Sequence, residues 1–305
     1  MLRRKLLSLT ALMAVALAVL LLTSCTRPGA SQPGLTGVLS QPPGSGTQVT
    51  GVLPATDLAV GKNQRFLLVL IDAENRVVGD ATVDLAFFKV TGSAQAQLRS
   101  QTPTRFQESP GLSGHGVYIA RTDFDEPGQW GVAAHVDQPG HEPTELRLNF
   151  EVKERSSTPA PGDPVPASRT LTGTTAADIE KFSSARPADP GLYRLSVADA
   201  LNERKPLAVL FATPGFCTSR LCGPSVEVLQ ALNGQYGGRA NFIHVEIYKD
   251  GRPNQAMELV PAVREWGLTS ERWLCVVGAD GQLVDKFEGS ITVDEVRPAL
   301  EAALK

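Results

Sequence analysis

The stretch LAVLFATPGFCTSRLCGP, residues 207–224, determines how the C-terminal part of this 305-residue chain is interpreted. Its first six residues are all apolar, which is typical of a buried strand. The apolar residues that follow it are spaced as on one face of a helix: Val226, Leu229 and Leu232. The sequence therefore places Cys217 and Cys222 at a corner where a strand passes into a helix.

A cysteine at such a corner has a distinctive chemistry. The unpaired N–H groups and the dipole at a helix N-terminus stabilise an anion and lower the pKa of a thiol. Arg220 adds a nearby positive charge. A thiolate formed in this way can attack a disulfide or a peroxide, and the second cysteine can then close an intramolecular disulfide. The alternative is a structural disulfide in an exported protein, although a six-residue loop gains little from closure.

Helices and strands alternate around this corner from about residue 176 to residue 305. Residues 242–248 alternate in polarity, and residues 273–277 and 283–287 read as a hairpin around Asp280-Gly281. Possible capping boxes begin two helices, Ser196 with Asp199 and Thr292 with Glu295. The predicted order is α-β-α-β-α-β-β-α, which a sheet with helices on both faces would bury.

This order and the strand-Cys-loop-Cys-helix segment resemble the thioredoxin-like superfamily over about 130 residues. The resemblance implies an α/β thioredoxin-like domain and a redox disulfide in which Cys217 is the exposed nucleophile and Cys222 resolves the intermediate. The sequence departs from the family in its C-x4-C spacing, where C-x2-C is usual. Arg272 stands where a cis-proline normally pairs with the substrate chain, which weakens a plain protein-disulfide reductase reading.

Residues 213–222 are also similar to the Thr-Pro-Gly-Cys-Thr-x-x-x-Cys segment of atypical two-cysteine peroxiredoxins. Phe216 is an insertion relative to that pattern, and it shifts Thr213 from the position that would bind peroxide. In that family an arginine at the position of Arg272 stabilises the thiolate and the leaving oxygen. A thiol peroxidase is therefore the alternative enzyme. A solvated hairpin residue is the other interpretation of Arg272.

Two further polar or reactive positions lie in predicted strands. Cys275, within an apolar run, is interpreted as a small buried hydrophobe. Glu246 lies late in its strand on the same face as His244, where a buried carboxylate could carry a proton during exchange. The preferred interpretation of Glu246 is a residue at the sheet end that faces solvent.

The first 24 residues predict export. Three positive charges at Arg3, Arg4 and Lys5 precede an apolar run, which is a secretory signal pattern. The run ends in Leu22-Thr23-Ser24-Cys25, which resembles the bacterial lipobox and implies cleavage before a lipidated Cys25. An uncleaved signal anchor is the alternative. Residues 25–47 are rich in Pro, Gly and Ser and are predicted to form a flexible tether.

Two domains are predicted beyond the tether. Residues 48–153 contain short apolar or alternating runs separated by turn residues, which favours an all-β sandwich. These runs cover residues 66–71, 83–88, 117–120, 130–136 and 146–152. Residues 116–132 resemble the closing hairpin of small immunoglobulin-like extracytoplasmic domains. Residues 154–175 carry four prolines and are predicted as an extended linker to the domain at 176–305. The predicted fold class is thus an α/β thioredoxin-like C-terminal domain plus an all-β, immunoglobulin-like N-terminal domain.

Composition limits the function. Net charge is −3 and hydrophobic residues make up 42%, which excludes a disordered chain and gives nucleic-acid binding no electrostatic support. The prediction is a lipid-anchored extracytoplasmic thiol-disulfide oxidoreductase without cofactor or metal, with Cys217, Cys222 and Arg272 as its site. Its expected partners are membrane lipid through Cys25 and either exported protein thiols or a membrane electron donor. A non-catalytic binding or scaffold lipoprotein is the alternative from another class.

Overall fold

A computed structural model describes residues 49–92, 95–217 and 222–305. The predicted signal peptide, the predicted lipidation site at Cys25, the predicted tether and Arg220 lie outside the described residues. The predicted boundaries at residues 153, 175 and 176 stay predictions. Among the described helices none is both long and apolar enough to cross a membrane.

The N-terminal half consists of antiparallel strands in two four-stranded sheets. The strands are β1 (Val49–Val52), β2 (Gly61–Asp72), β3 (Thr82–Gly92), β4 (Gln95–Pro103), β5 (Arg105–Glu108), β6 (Gly116–Phe124), β7 (Gly128–Asp137) and β8 (Thr144–Val152). The first sheet has the order β1-β2-β6-β5, and the second has the order β4-β3-β7-β8. The predicted apolar runs are confirmed as parts of β2, β3, β6, β7 and β8.

Aromatic rings fill the space between these two sheets, because alternate residues of each strand point inward. Phe66 of β2 and Phe87 of β3 meet edge to face with ring centroids 4.9 Å apart. Phe124 packs on Trp130 in the same way at 5.0 Å. Such pairs add to the free energy gained from burial. The two sheets therefore share one apolar core, and together they are called the sandwich below.

The C-terminal half contains one mixed sheet and short helices. Its elements are α1 (Ala176–Ile179), α2 (Val197–Asn202), β9 (Leu207–Ala212), α3 (Cys222–Tyr236), β10 (Asn241–Glu246), α4 (Pro261–Glu265), β11 (Trp273–Val277), β12 (Leu283–Glu288) and α5 (Val293–Ala303). The strand order is β10-β9-β11-β12. β9 runs parallel to β10 and antiparallel to β11. Ser196 and Thr292 are confirmed as the N-caps of α2 and α5, since they accept the N–H groups of Asp199 and Glu295. The return bond of a capping box is not found among the described residues, because the carboxylate of Glu295 binds Arg65 instead.

The predicted fold class, an α/β thioredoxin-like domain plus an all-β immunoglobulin-like domain, is wrong in its α/β thioredoxin-like part, whereas the N-terminal half is an all-β sandwich as predicted. The described chain is mainly β, with three four-stranded sheets. The described part of the chain has five short α-helices. Three of them, α1, α2 and α4, have only 4, 6 and 5 residues. The physical reason is that capping signals mark where a helix begins but not how far it extends. Turn residues end these helices after about one turn, so that strands make up most of the regular structure.

Residues 154–175 lie along β12 and the helices near it. Val165 donates its N–H to the carbonyl of Gly281 at 3.1 Å, and Leu283 donates to the carbonyl of Asp163 at 2.8 Å. The hydroxyl of Ser168 donates to Glu265 in α4. These bonds attach the proline-rich segment to the C-terminal sheet.

Buried charged groups connect the sandwich with the C-terminal sheet. Asp57, which follows β1, accepts hydrogen bonds from Ser156, Thr158 and Lys286 of β12. Arg65 of β2 pairs with Glu295 of α5 at 2.6 Å, and their side chains are only 5% and 7% exposed. The described residues of both halves accordingly belong to one compact unit. The residues in this paragraph are called the polar interface.

Candidate functional site: the disulfide end of the C-terminal sheet

The two predicted cysteines form a disulfide, with their Cα atoms 5.9 Å apart. Cys217 lies five residues beyond the end of β9, and Cys222 is the first residue of α3. Cys222 is fully buried, whereas Cys217 is half-buried and its neighbour Phe216 is 45% exposed. A reactant from solution therefore reaches the sulfur of Cys217 before that of Cys222.

The strand register brings further residues to the same end of the sheet. Glu246, the last residue of β10, is opposite Ala212, the last residue of β9. Trp273, the first residue of β11, is opposite Phe211. Because β11 runs antiparallel to β9, the residues just before Trp273 continue toward the disulfide loop. This register explains why Glu271 lies near the cysteines although about fifty residues separate it from them in sequence.

Glu271 is the functional residue that the sequence reasoning missed. One of its carboxylate oxygens and the sulfurs of Cys217 and Cys222 all lie within 4.8 Å of one another. Tyr248 forms a hydrogen bond with Glu271, and burial together with the charge of Glu271 raises the pKa of Tyr248. The pattern that could have revealed Glu271 is its place beside Arg272 at the start of a strand that pairs with β9.

Arg272 lies at the predicted end of the sheet but is largely removed from solvent. Burial lowers the pKa of its guanidinium to about 10, against the charges of Glu271 and Glu288. Its Nη1 atom is buried and has no hydrogen-bond partner in the described part of the chain. The hydroxyl of Thr213 is also buried and has no hydrogen-bond partner among the described residues. Three residues at this end of the sheet, Thr213, Arg272 and Trp273, therefore carry a buried donor for which the described residues offer no acceptor.

A second carboxylate, that of Glu246, stabilises the disulfide loop through hydrogen bonds. Glu246 is buried, contrary to the preferred prediction that it faces solvent. It accepts hydrogen bonds from the N–H and the hydroxyl of Ser184 at 2.8 and 2.6 Å. The same hydroxyl oxygen accepts the N–H of Gly215 at 3.0 Å. Glu246 thus positions the loop through Ser184, which compensates the cost of burying its charge.

His244 belongs to a neighbouring buried chain of hydrogen bonds. Its Nε2 is 3.1 Å from the carbonyl oxygen of Ala212, and its Nδ1 is 2.5 Å from the hydroxyl of Tyr193. A carbonyl can only accept, so Nε2 carries the proton and Nδ1 accepts from Tyr193. Burial lowers the pKa of His244. The imidazole is therefore neutral and holds the end of β9 in place.

Cys275 takes no part in this arrangement. It lies in β11, fully buried, as the only free cysteine among the residues that the structure describes. Burial raises the pKa of its thiol to about 12. The prediction of a small buried hydrophobe is confirmed, since such a thiol does not ionise near neutral pH.

No family model and no curated protein matches the chain. Among solved structures it is similar to a DUF4426 family protein from Pseudomonas aeruginosa, at 11% identity and a TM-score of 0.26 over 36% of this chain and 94% of that one. It is also similar to FetP from uropathogenic Escherichia coli, at 11% identity and a TM-score of 0.27 over 37% of this chain and 94% of that one. A third similar structure is PcoC, a methionine-rich copper resistance protein from Escherichia coli, at 22% identity and a TM-score of 0.20 over 34% of this chain and 94% of that one. These TM-scores are too low to support an argument about function.

The disulfide itself bears on location. Disulfides persist in oxidising compartments such as the bacterial periplasm and the cell surface, and they are rare in the cytosol. The Cys217–Cys222 bond is therefore consistent with an extracytoplasmic location.

Proposed function

We propose that the Cys217–Cys222 disulfide is a redox-active site that exchanges electrons with other thiols and disulfides outside the cytoplasm. The difference in burial between its two cysteines is the observation that carries the proposal. Cys217 is reachable from solvent, whereas Cys222 is buried at the first turn of a 15-residue helix. A structural bond needs no such asymmetry, and exchange chemistry requires one sulfur that is attacked and one that leaves.

The proposed exchange takes place in two steps. A thiolate RS⁻ attacks the sulfur of Cys217, the S–S bond breaks, and Cys222 leaves with the electron pair as a thiolate. The N-terminus of α3 stabilises that leaving thiolate. A second RS⁻ then attacks the R-side sulfur of the mixed disulfide, the bond to Cys217 breaks, RSSR leaves, and Cys217 keeps the electron pair as a thiolate, so that the protein gains two electrons. The reverse sequence reduces a substrate disulfide and restores the Cys217–Cys222 bond.

The chain is proposed to work while anchored to a membrane. The lipobox-like Leu22-Thr23-Ser24-Cys25 and the signal pattern before it support a lipid on Cys25. A lipid anchor would keep the disulfide near membrane electron donors or exported proteins with thiols, which are the proposed partners. Labelling with a radioactive fatty acid tests the anchor, since Cys25→Ser should abolish incorporation.

The reduction potential tests the proposed function. The full chain is equilibrated in glutathione buffers, and the fraction of Cys217 and Cys222 that is reduced is read by alkylation and mass spectrometry. We expect a potential above about −300 mV, because structural disulfides in exported proteins lie below that value. Cys275→Ser is the control and should leave the potential unchanged. A potential below −300 mV contradicts the proposal.

Turnover separates exchange from peroxide chemistry. The reduced chain is offered insulin disulfide and hydrogen peroxide in parallel, with Cys217→Ser as the blank. We expect faster oxidation by the disulfide. Faster oxidation by peroxide would replace the proposal with a thiol peroxidase.

A second candidate is a non-catalytic binding or scaffold protein. The observation that favours it is the amount of β structure that takes no part in the disulfide site, namely two of the three four-stranded sheets. Cellular complementation separates the two functions. If Cys217→Ser complements fully and a chain without the sandwich does not, the scaffold reading replaces the redox proposal.

A further inference from the structure

We propose that Cys217 and Cys222, once reduced, form with Glu271 a binding site for one zinc ion. The inference rests on the proposed function only in requiring that the disulfide can open. Three potential ligand atoms, two sulfurs and one carboxylate oxygen, lie within 4.8 Å of one another in the oxidised protein. In tetrahedral zinc geometry, with bonds of about 2.1 to 2.3 Å, such atoms stand roughly 3.6 to 3.8 Å apart. Reduction moves the two sulfurs apart and so brings the three atoms closer to this spacing.

The donor set selects the metal. Zinc accepts mixtures of thiolate and carboxylate, whereas hard ions such as Mg²⁺ and Ca²⁺ require oxygen ligands. Cu⁺ prefers soft thiolates and has little use for a carboxylate. Glu271 therefore favours Zn²⁺ over Cu⁺ at this place, and its removal should affect the two metals differently.

The surroundings of Glu271 suit a ligand. Tyr248 forms a hydrogen bond with its carboxylate, and such outer contacts orient a ligand and raise its affinity. Two thiolates, one carboxylate and Zn²⁺ carry a net charge of −1. The adjacent Arg272, whose charge acts on Glu271, offsets that charge. An isolated cluster of anions would lack this compensation.

The site also has an entrance and an open position. Cys217 is half-buried and lies beside the exposed Phe216, so an ion can approach from that side. Three protein ligands leave the fourth tetrahedral position to water or to an incoming group. Closing the disulfide removes both thiolates at once. Zinc is therefore expected to bind the reduced chain and not the oxidised one.

Zinc binding to the full chain tests the inference. The chain is reduced with a phosphine, which opens the bond whatever its potential, and Zn²⁺ is titrated against a chromophoric chelator. We expect one zinc per chain in the reduced protein and none in the oxidised protein. Glu271→Gln should weaken binding about 100-fold, and Tyr248→Phe about 10-fold, as is usual for an outer contact. Glu301→Gln, which changes an exposed carboxylate on α5, is the matched control and should bind as the parent does.

Copper supplies the second arm. Cu⁺ affinity should be the same for the parent and for Glu271→Gln, because two thiolates suffice for that ion. The inference is overturned if the reduced chain binds no zinc, or if Glu271→Gln binds zinc as tightly as the parent does. A disulfide that stays closed in the glutathione buffers would defeat the proposed function while leaving this titration intact, so the two failures are distinguishable. Unfolding curves of each variant show whether it is folded.

Discussion

The polar interface and the disulfide end of the C-terminal sheet both bury charged groups, but they satisfy them differently. At the interface Asp57 accepts from Ser156, Thr158 and Lys286. At the disulfide end the hydroxyl of Thr213 and Nη1 of Arg272 are buried without a partner in the described ranges. Buried polar groups in native proteins are nearly always paired. The polar interface therefore stabilises the fold, whereas the disulfide end keeps unpaired donors that a bound group can use.

The largest predicted effect is the loss of Asp57. Its side chain is completely inaccessible and pairs with Lys286, which is 10% exposed. Asp57→Ala leaves that ammonium buried without its counter-charge, so we expect a loss of about 3 to 5 kcal/mol in the free energy of unfolding. Urea unfolding measures it. Asp123→Ala is the control, because the pair of Asp123 with Lys62 is exposed and should be worth about 1 kcal/mol or less. Equal losses in the two variants would contradict the special status of the interface.

The same carboxylate predicts a pH dependence. Burial alone would raise the pKa of Asp57, but hydrogen bonds from Ser156, Ser157 and Thr158 and the charge of Lys286 hold it well below its ordinary value of 3.8. A carboxyl whose folded-state pKa is lowered stabilises the protein above its unfolded-state pKa, and this stability is lost as the pH falls. The free energy of unfolding should therefore drop more steeply below about pH 4 in the parent than in Asp57→Asn. Parallel curves for the two proteins would show that other groups cause the acid sensitivity.

Local patterns predicted much of the strand content and the location of the cysteines. The apolar run at residues 207–212 is a fully buried strand, and short apolar or alternating runs identified β2, β3 and β7. The edge strand β5 was missed, because four residues, Arg105 to Glu108, carry too little apolar periodicity. The fold class was wrong because helix length and the balance of sheet over helix depend on packing that capping signals do not encode.

The site could be predicted only where its residues are local in sequence. Cys217 and Cys222 are five residues apart, and their pairing follows from proximity. Glu271 joins them through the register of β11 against β9, which an isolated sequence does not specify. The partners of Asp57 lie about one hundred residues away and more than two hundred residues away. From sequence alone, a charged residue in a loop is predicted to be exposed to solvent. Its burial becomes evident only when the fold brings the loop against residues that are distant in sequence.

A smaller effect is predicted for the disulfide. For a loop of six residues the chain-entropy relation gives a stabilisation of about 2 kcal/mol, which is well below the cost predicted for Asp57→Ala. The double variant Cys217→Ser/Cys222→Ser should therefore remain folded and lose about that much in urea unfolding. The parent unfolded under reducing conditions is the control and should lose the same amount. A loss above about 4 kcal/mol would assign the bond a structural role and weaken the redox proposal.

The smallest predicted change in stability comes from a matched pair of threonines, one in each region. Thr158 donates to Asp57 at 2.7 Å and accepts a hydrogen bond from Lys286, so Thr158→Val removes two charge-assisted bonds and should cost about 1.5 kcal/mol or more. Thr213→Val replaces a buried hydroxyl that has no partner among the described residues, so the free energy of unfolding should change by less than about 0.5 kcal/mol. Urea unfolding of the two variants compares these costs under the same conditions.

Kinetics then separates an idle hydroxyl from a functional one. If the hydroxyl of Thr213 donates to a group that attacks Cys217, Thr213→Val should slow the reaction of the disulfide with a small thiol about tenfold, the equivalent of one hydrogen bond. Thr158→Val should react at the rate of the parent. A stability cost for Thr213→Val as large as that for Thr158→Val, or an unchanged rate, would erase the distinction between the two regions. A slower reaction at unchanged stability assigns the free donor to the chemistry at Cys217.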